Sequence, residues 1–459
     1  MGATTFERRL IDGMTTGLGI PDAEVGIDGT AVLRSRYPVS EFAAASIATA
    51  GLALAELLRA LGMPSAPVHV DRGLADVWFG WAVRPDGWER PQVWDAIAGD
   101  YRARDGWIRL HTNAPRHRDA ALAVLGVAND PAAAVREAVA GWDAEALETA
   151  VVAAGGVAGA LRSPGAWAGH PQGAAVAREP LAGIRSTDPG PAEARRWRPV
   201  PDRPLTGLRV LDLTRVLAGP VATRLLAGLG AEVLRIDPPD WSEPGAELEV
   251  TLGKRLARLD LRTDDGLARL RELLAGADVL VHGYRADALE RLGLGAQERR
   301  RLRPGLVDVS HDAYGWTGPW AMRRGFDSVV QMSSGIAWPG AAATEPDPDA
   351  RPTPLPVQAL DHATGYLEAA AVLHGLARRV RDGVGTASRL SLARTALELT
   401  SADVERGPLG EAGEPASTAI RTGWGAARLV APPLTVGAAV LRWDRGSRPL
   451  GSDAPEWVE

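Results

Sequence analysis

Residues 204–239, PLTGLRVLDLTRVLAGPVATRLLAGLGAEVLRIDPP, constrain the fold more than any other stretch. LRVLDL (208–213) is an almost continuous apolar run, the pattern of a strand buried on both faces. The spacing predicts a helix over VATRLLAGLG, with stops at Gly228 and Gly230. AEVLRID (231–237) reads as a second strand, closed by Pro238-Pro239. A strand, loop, helix and strand in this order form a βαβ unit, which requires a parallel sheet. In such a sheet the ligand crevice lies at the carboxyl ends of the strands. There is no full G-x-G-x-x-G, so the stretch gives little support to a nicotinamide or flavin site.

The chain after it continues in the same style. LARLDLR (256–262), ADVLVHGY and PGLVDVSHDAYG read as strands. DDGLARLRELLAGA, capped by Thr263 or Asp264, DALERLGLG, DSVVQMSSGIAW and residues 361–380 read as helices. Strands alternating with helices of this length predict an α/β fold, a doubly wound Rossmann-like parallel-sheet core with a smaller α/β domain. That core is expected over residues 205–459. Residues 185–204, rich in Pro and Arg, read as a linker. Residues 1–184 form an N-terminal half. It opens on an irregular arm over residues 1–30 and a buried helix over residues 40–61. A small module follows over residues 98–184, with a strand at ARDGWIRLHTN and three helices.

Composition narrows the chemistry. The net charge of −6 argues against general nucleic-acid binding. There is no Cys, which excludes disulfides, thiol catalysis and thiolate metal sites. The eight His are scattered, and no H-E-x-x-H, G-x-S-x-G or Walker A motif occurs, so no metal site is expected. No run of 18 apolar residues and no apolar signal core is present, so no membrane partner and a cytoplasmic location are expected. Lys254 is the single lysine, in a G-K-R turn that reads equally well as a solvated turn. Asp361, in PVQALDHATGYLEAAAVLHGL, stands out at the start of a long apolar helix. As a residue it suits an N-cap. It suits equally a carboxylate held ionised at a helix N-terminus, able to act as a nucleophile on an activated acyl group.

LTGLRVLDLTRVLAGPVATRLLAGLGAEVLRID resembles the opening of the family III CoA-transferases, the CaiB/BaiF group that includes formyl-CoA and carnitine CoA-transferases and the α-methylacyl-CoA racemases. The resemblance covers residues 204–459 well and residues 36–184 weakly. It implies a CoA-transferase that moves CoA from an acyl-CoA to a carboxylic acid, with the thioester as substrate and no permanently bound cofactor. Asp361 matches the family's nucleophile, which forms a mixed anhydride and then an aspartyl-CoA thioester. CoA-contacting segments match at Leu217 and Ala218 over the pantetheine, and at Leu259, Asp260, Leu261 and Arg262 beside the adenine. Further matches are Gly283, Tyr284 and Arg285 in a loop, Arg291 at a phosphate, and Arg324, Gly325, Phe326 and Asp327 near the thioester. Pro238 and His282-Gly283 depart from the family pattern, and its glycine-rich loop has no match. Racemisation needs two bases, and Phe326 stands where the family's racemases place His. A catalytically inactive acyl-CoA-binding homologue is the third reading.

RYPVSEFAAASIATAGLALAELLRALG (from Arg36) echoes PLPVQALDHATGYLEAAAVLHGLARR (from Pro354), which sets Ala43 against Asp361. The chain thus resembles a fused or permuted member with a degenerate first copy. The family's interlocked rings imply a homodimer. The order of segments here implies instead that two halves could close within one chain.

Overall fold

The computed structural model describes residues 3–64, 67–128, 132–190, 197–339, 350–401, 409–411 and 413–458. Seven strands make the central sheet: β1 (Arg185–Pro189), β2 (Arg209–Leu213), β3 (Glu232–Asp237), β4 (Arg255–Arg258), β5 (Val279–His282), β6 (Val307–Asp312) and β7 (Val384–Ser391). Their order is β4-β3-β2-β5-β6-β7-β1. All neighbours are parallel except β1, which runs antiparallel to β7 at the edge. The winding reverses between β2 and β5, which makes the carboxyl ends of these two strands the switch point.

Alternation along β2 shows why the strands are apolar on both faces. Val210 packs with Val233, Val279, Val281, Val307 and Val309 under helices Ala218–Gly228 and Ala359–Asp382. Leu211 and Leu213 point the other way, onto Leu270, Leu273 and Leu274 of helix Asp264–Ala275. Helix Ala359–Asp382 approaches helix Ala218–Gly228 so closely that a Cβ on Gly365 would lie 2.3 Å from the Ala218 carbonyl. Glycine is required there by close approach.

The N-terminal half is packed into this core. Helix Val39–Ala60 has the length and hydropathy of a membrane span, but it is buried and lies along helix Ala359–Asp382. The echo extends to local structure. Helix Val39–Ala60, strand Val68–Asp71 and helix Arg72–Trp78 repeat the order of helix Ala359–Asp382, β7 and helix Leu392–Thr400. Asp71 and Ser391 cap the two short helices in the same way, accepting from Leu74 and Arg394 N–H. The C-terminal segment is stitched onto this half. Hairpin strands Ser417–Thr422 and Gly425–Val430 join Val83–Pro85, and Leu434–Val436 joins Val68–Asp71.

Four sequence expectations are corrected. Residues 5–18 form a helix, not an irregular arm. A capping box of Thr4 and Glu7 starts it, and Glu7 is buried against Arg72 at 2.7 Å. Residues 185–189 of the expected linker are strand β1; residues 191–196 lie outside the described residues. The strand expected over 256–262 ends at Arg258, because Asp260 accepts from the Arg262 N–H and turns the chain. The helix expected at DALERLGLG is a single turn, Ala288–Arg291, stopped by Gly293 in the left-handed region.

Candidate active site

A cavity of about 450 Å³ opens at the switch point. Its floor is the ends of β2, β3, β5 and β6 with the first turn of helix Ala359–Asp382. Of the residues singled out in the sequence, Ala218, Leu259, Asp260, Leu261, Arg262, Gly283, Tyr284, Arg285, Arg324, Gly325, Phe326 and Asp361 line it. Leu217, Arg291 and Asp327 do not. Leu217 is buried beneath the loop as the residue that starts helix Ala218–Gly228. Arg291 is largely exposed and pairs with Asp287 at 3.1 Å. Asp327 lies behind the wall, fully buried.

Asp327 corrects the capping reading of Asp361. The long helix starts at Ala359 with Gln358 as its N-cap, so Asp361 is the third helical residue, inside the first turn. Its own N–H donates to Asp327 Oδ2 at 2.9 Å. The outside carboxylate thus does the work of a cap, braced by Gln331 donating to Oδ1. The Asp361 side chain is left to face the cavity, 7 % exposed. Burial and the Asp327 charge push its pKa well above the usual carboxylate range, and His311 pulls it back. Burial likewise raises the Asp327 pKa to about 6.

Positive charge gathers at the mouth. Arg215, Arg285, Arg324 and Arg116 all reach the cavity. Arg215 is held between the rings of Trp241 and Tyr284, at 4.8 and 5.1 Å. The Arg116 and Arg324 pKa values are lowered by burial and by repulsion from their Arg neighbours. A cluster of half-buried guanidinium groups that repel one another is stabilised by a polyanion.

Sequence reasoning missed Arg116 and His117, which come from the small module of the N-terminal half. That module docks through His111, whose ring stacks on Phe326 at 3.8 Å, while His117 meets the same ring at 5.9 Å. Both His pKa values are lowered by burial, to about 3 and about 4, so the rings are neutral at pH 7. The basic R-H-R at 116–118, in the first turn of the module's first helix, marks a charged surface in the sequence but not its place at the cavity.

The loop between β2 and its helix is fixed from below. Val216 adopts φ 64°, a left-handed conformation rare for a β-branched residue. Its N–H donates to Glu243 at 2.9 Å, and Glu243 is gripped by Arg235. On the other side Asp212 accepts from Thr214 N–H and Oγ1. Lys254 is not a solvated turn residue. It is fully buried and donates to Asp212 at 2.9 Å, to Thr223 at 2.6 Å and to the Pro220 carbonyl at 3.1 Å.

A second cleft, of about 710 Å³, lies at the opposite ends of the strands. Three of its arginines are in ion pairs, Arg209 and Arg255 with Glu232 and Arg203 with Asp444.

Comparison with known proteins places the same stretch. The profile described as CoA-transferase family III matches residues 205–427. A probable fatty acyl-CoA transferase of Mycobacterium tuberculosis is 33% identical over 213 residues, covering 43% of this chain and 53% of its own length. An acyl-CoA transferase of Gibberella moniliformis is 30% identical over 335 residues, covering 69% of this chain and 58% of its own. A solved CAIB/BAIF family protein from Brucella suis is 26% identical, with a TM-score of 0.38, over 49% of this chain and 65% of that one. The chain spans about half the length of the curated relatives it matches.

Proposed function

We infer, from the premise that residues 205–427 belong to CoA-transferase family III, that this protein transfers CoA from an acyl-CoA to a carboxylic acid through Asp361. The observation that carries this reading is one cavity holding both a buried carboxylate and a cluster of arginines, Arg116, Arg215, Arg285 and Arg324 at its mouth.

In this reading the Asp361 oxygen attacks the thioester carbonyl. The C–S bond breaks, CoA thiolate leaves and a mixed anhydride forms. The thiolate then attacks Asp361 Cγ, which releases the donor carboxylate and leaves an aspartyl-CoA thioester. The acceptor carboxylate attacks that thioester, the C–S bond breaks and a second mixed anhydride forms; the released thiolate then attacks the acceptor carbonyl, which gives the new acyl-CoA and frees the Asp361 carboxylate. No proton is needed in any of the four steps, which suits a site whose His117 is held neutral. The diphosphate and 3′-phosphate of CoA are the polyanion that the Arg cluster accepts, with Arg116 supplied by the N-terminal half.

Two tests follow. Hydroxylamine added during incubation with acetyl- or succinyl-CoA attacks the activated Asp361 Cγ, expels the acyl carboxylate or CoA thiolate and leaves a hydroxamate adduct on the Asp361 peptide; a homologue that only binds acyl-CoA gives none. Arg116→Ala raises the CoA dissociation constant at least ~10-fold, about 1.4 kcal/mol, and flattens its dependence on salt. An unchanged affinity by calorimetry would remove the small module from the phosphate site.

The assembly follows from the same reading. A homodimer is expected from the family's interlocked rings. Light scattering at the mass of one chain would instead assign the partner's place to the N-terminal half, whose echo helix already packs on the catalytic helix.

A further inference from the structure

His311 is the penultimate residue of β6, with its ring in the cavity wall. Its Nδ1 lies 2.7 Å from Glu368 Oε1, and Glu368 is fully buried. Glu368 follows Asp361 by seven residues, two turns, so both side chains rise from one face of helix Ala359–Asp382. Side chains on a helix lean toward its N-terminus, which carries the Glu368 carboxylate, and the ring it grips, toward Asp361. The far edge of the ring is seated on Gly283, where a Cβ would lie 2.5 Å from Cε1 and 2.6 Å from Nε2. The imidazole is therefore clamped on two sides and directed along the face that carries the nucleophile.

The charges around it are acidic on the helix and on its own strand. Glu368 and Asp361 face it from the helix, and Asp312 is its neighbour in β6. His282 faces it from β5, a neutral ring whose pKa is driven well below its ordinary value by burial and by Arg299. Arg389 on β7 acts on both His282 and Asp312. Burial disfavours the imidazolium, but Glu368, Asp361 and Asp312 outweigh it and the His311 pKa is raised.

We propose that His311, clamped by Glu368, is the positioning residue that places a positive charge beside Asp361 and so lowers the cost of ionising the nucleophile. This rests on the reading of Asp361 as nucleophile and adds a residue to it. Two acids, Asp327 and Asp361, are buried against each other, and both favour protonation of one of the pair. A protonated carboxylic acid is a poor nucleophile. The His311 cation offsets that repulsion, and Glu368 holds the cation in place.

The test is a pair of titrations on the whole protein, neither of which requires turnover. Carbon-13 labelling at Asp Cγ, with Asp361→Asn to assign the signal, gives the Asp361 midpoint. Nitrogen-15 labelling of His gives the charge on His311. The expected result is an imidazolium in the wild type at neutral pH, and an Asp361 midpoint raised by about one pH unit or more in His311→Gln. In Glu368→Gln the His311 midpoint falls. The acid limb of the rate of adduct formation moves up with the Asp361 midpoint, so the loss is about tenfold per unit at pH below it and small above. A neutral His311 ring in the wild type overturns the proposal even if neither variant folds, and so does an unmoved Asp361 midpoint in His311→Gln. Absence of any adduct with the titrations as expected would sink the transferase reading instead, because the titrations report the charge alone.

Discussion

Asp361→Asn abolishes CoA transfer while leaving the fold intact. The amide keeps the size of the carboxylate and the backbone N–H that Asp327 accepts. It cannot form an anhydride, so turnover falls ~10³-fold or more. Stability stays within about 1 kcal/mol of wild type, because Asp361 does not cap its helix and its charge is disfavoured by burial. Asp327→Asn has the opposite signature. It loses a charged acceptor for the N-terminal N–H groups of the long helix, so it destabilises by roughly 1–3 kcal/mol and impairs transfer only by misplacing Asp361. Adduct stoichiometry adds a check. Ala43 stands in the N-terminal echo where Asp361 stands in the core, so one adduct forms per chain. More than a few per cent of wild-type turnover in Asp361→Asn, once deamidation is excluded by mass spectrometry, would refute the nucleophile assignment.

What the sequence reveals of this site follows the range of the interactions. Strands β2, β3, β5 and β6 were legible because burial on both faces leaves a local mark, an unbroken apolar run. Asp361 was legible because a carboxylate inside an apolar helix is locally costly. Its true relation to the helix was not, since the cap is a side chain 34 residues away. Arg116 and His117 were out of reach for the same reason. Their place at the cavity is set by His111 stacking on Phe326 across more than two hundred residues of chain, and no local pattern encodes that contact. The match at Arg291 was local, and the residue reaches the cluster only through its repulsion of Arg324. It sits on an exposed single turn and is engaged by Asp287. His311 was hidden in a strand pattern, and nothing local ties it to Glu368, which lies 57 residues further on in the same apolar helix as Asp361.

Lys254 shows the same effect in the energetics, and its replacement is expected to be the most destabilising single change near the site. Its ammonium is the cation for Asp212 in a region where both side chains are fully buried. Burial lowers its pKa to about 8 against the pull of Asp212, so it is still charged at pH 7. Lys254→Met fills the space but strands the Asp212 carboxylate, and breaking a buried pair from one side costs roughly 3–5 kcal/mol. The damage reaches the cavity, because Asp212 also holds Thr214 and thereby the left-handed turn at Val216. Denaturant midpoint and CoA affinity should therefore fall together. In the double variant Lys254→Met, Asp212→Asn no charge is stranded, so its loss should be smaller than the sum of the two single losses. A loss under about 1 kcal/mol for Lys254→Met, or strict additivity in the double variant, would show that the buried pair does not anchor the loop.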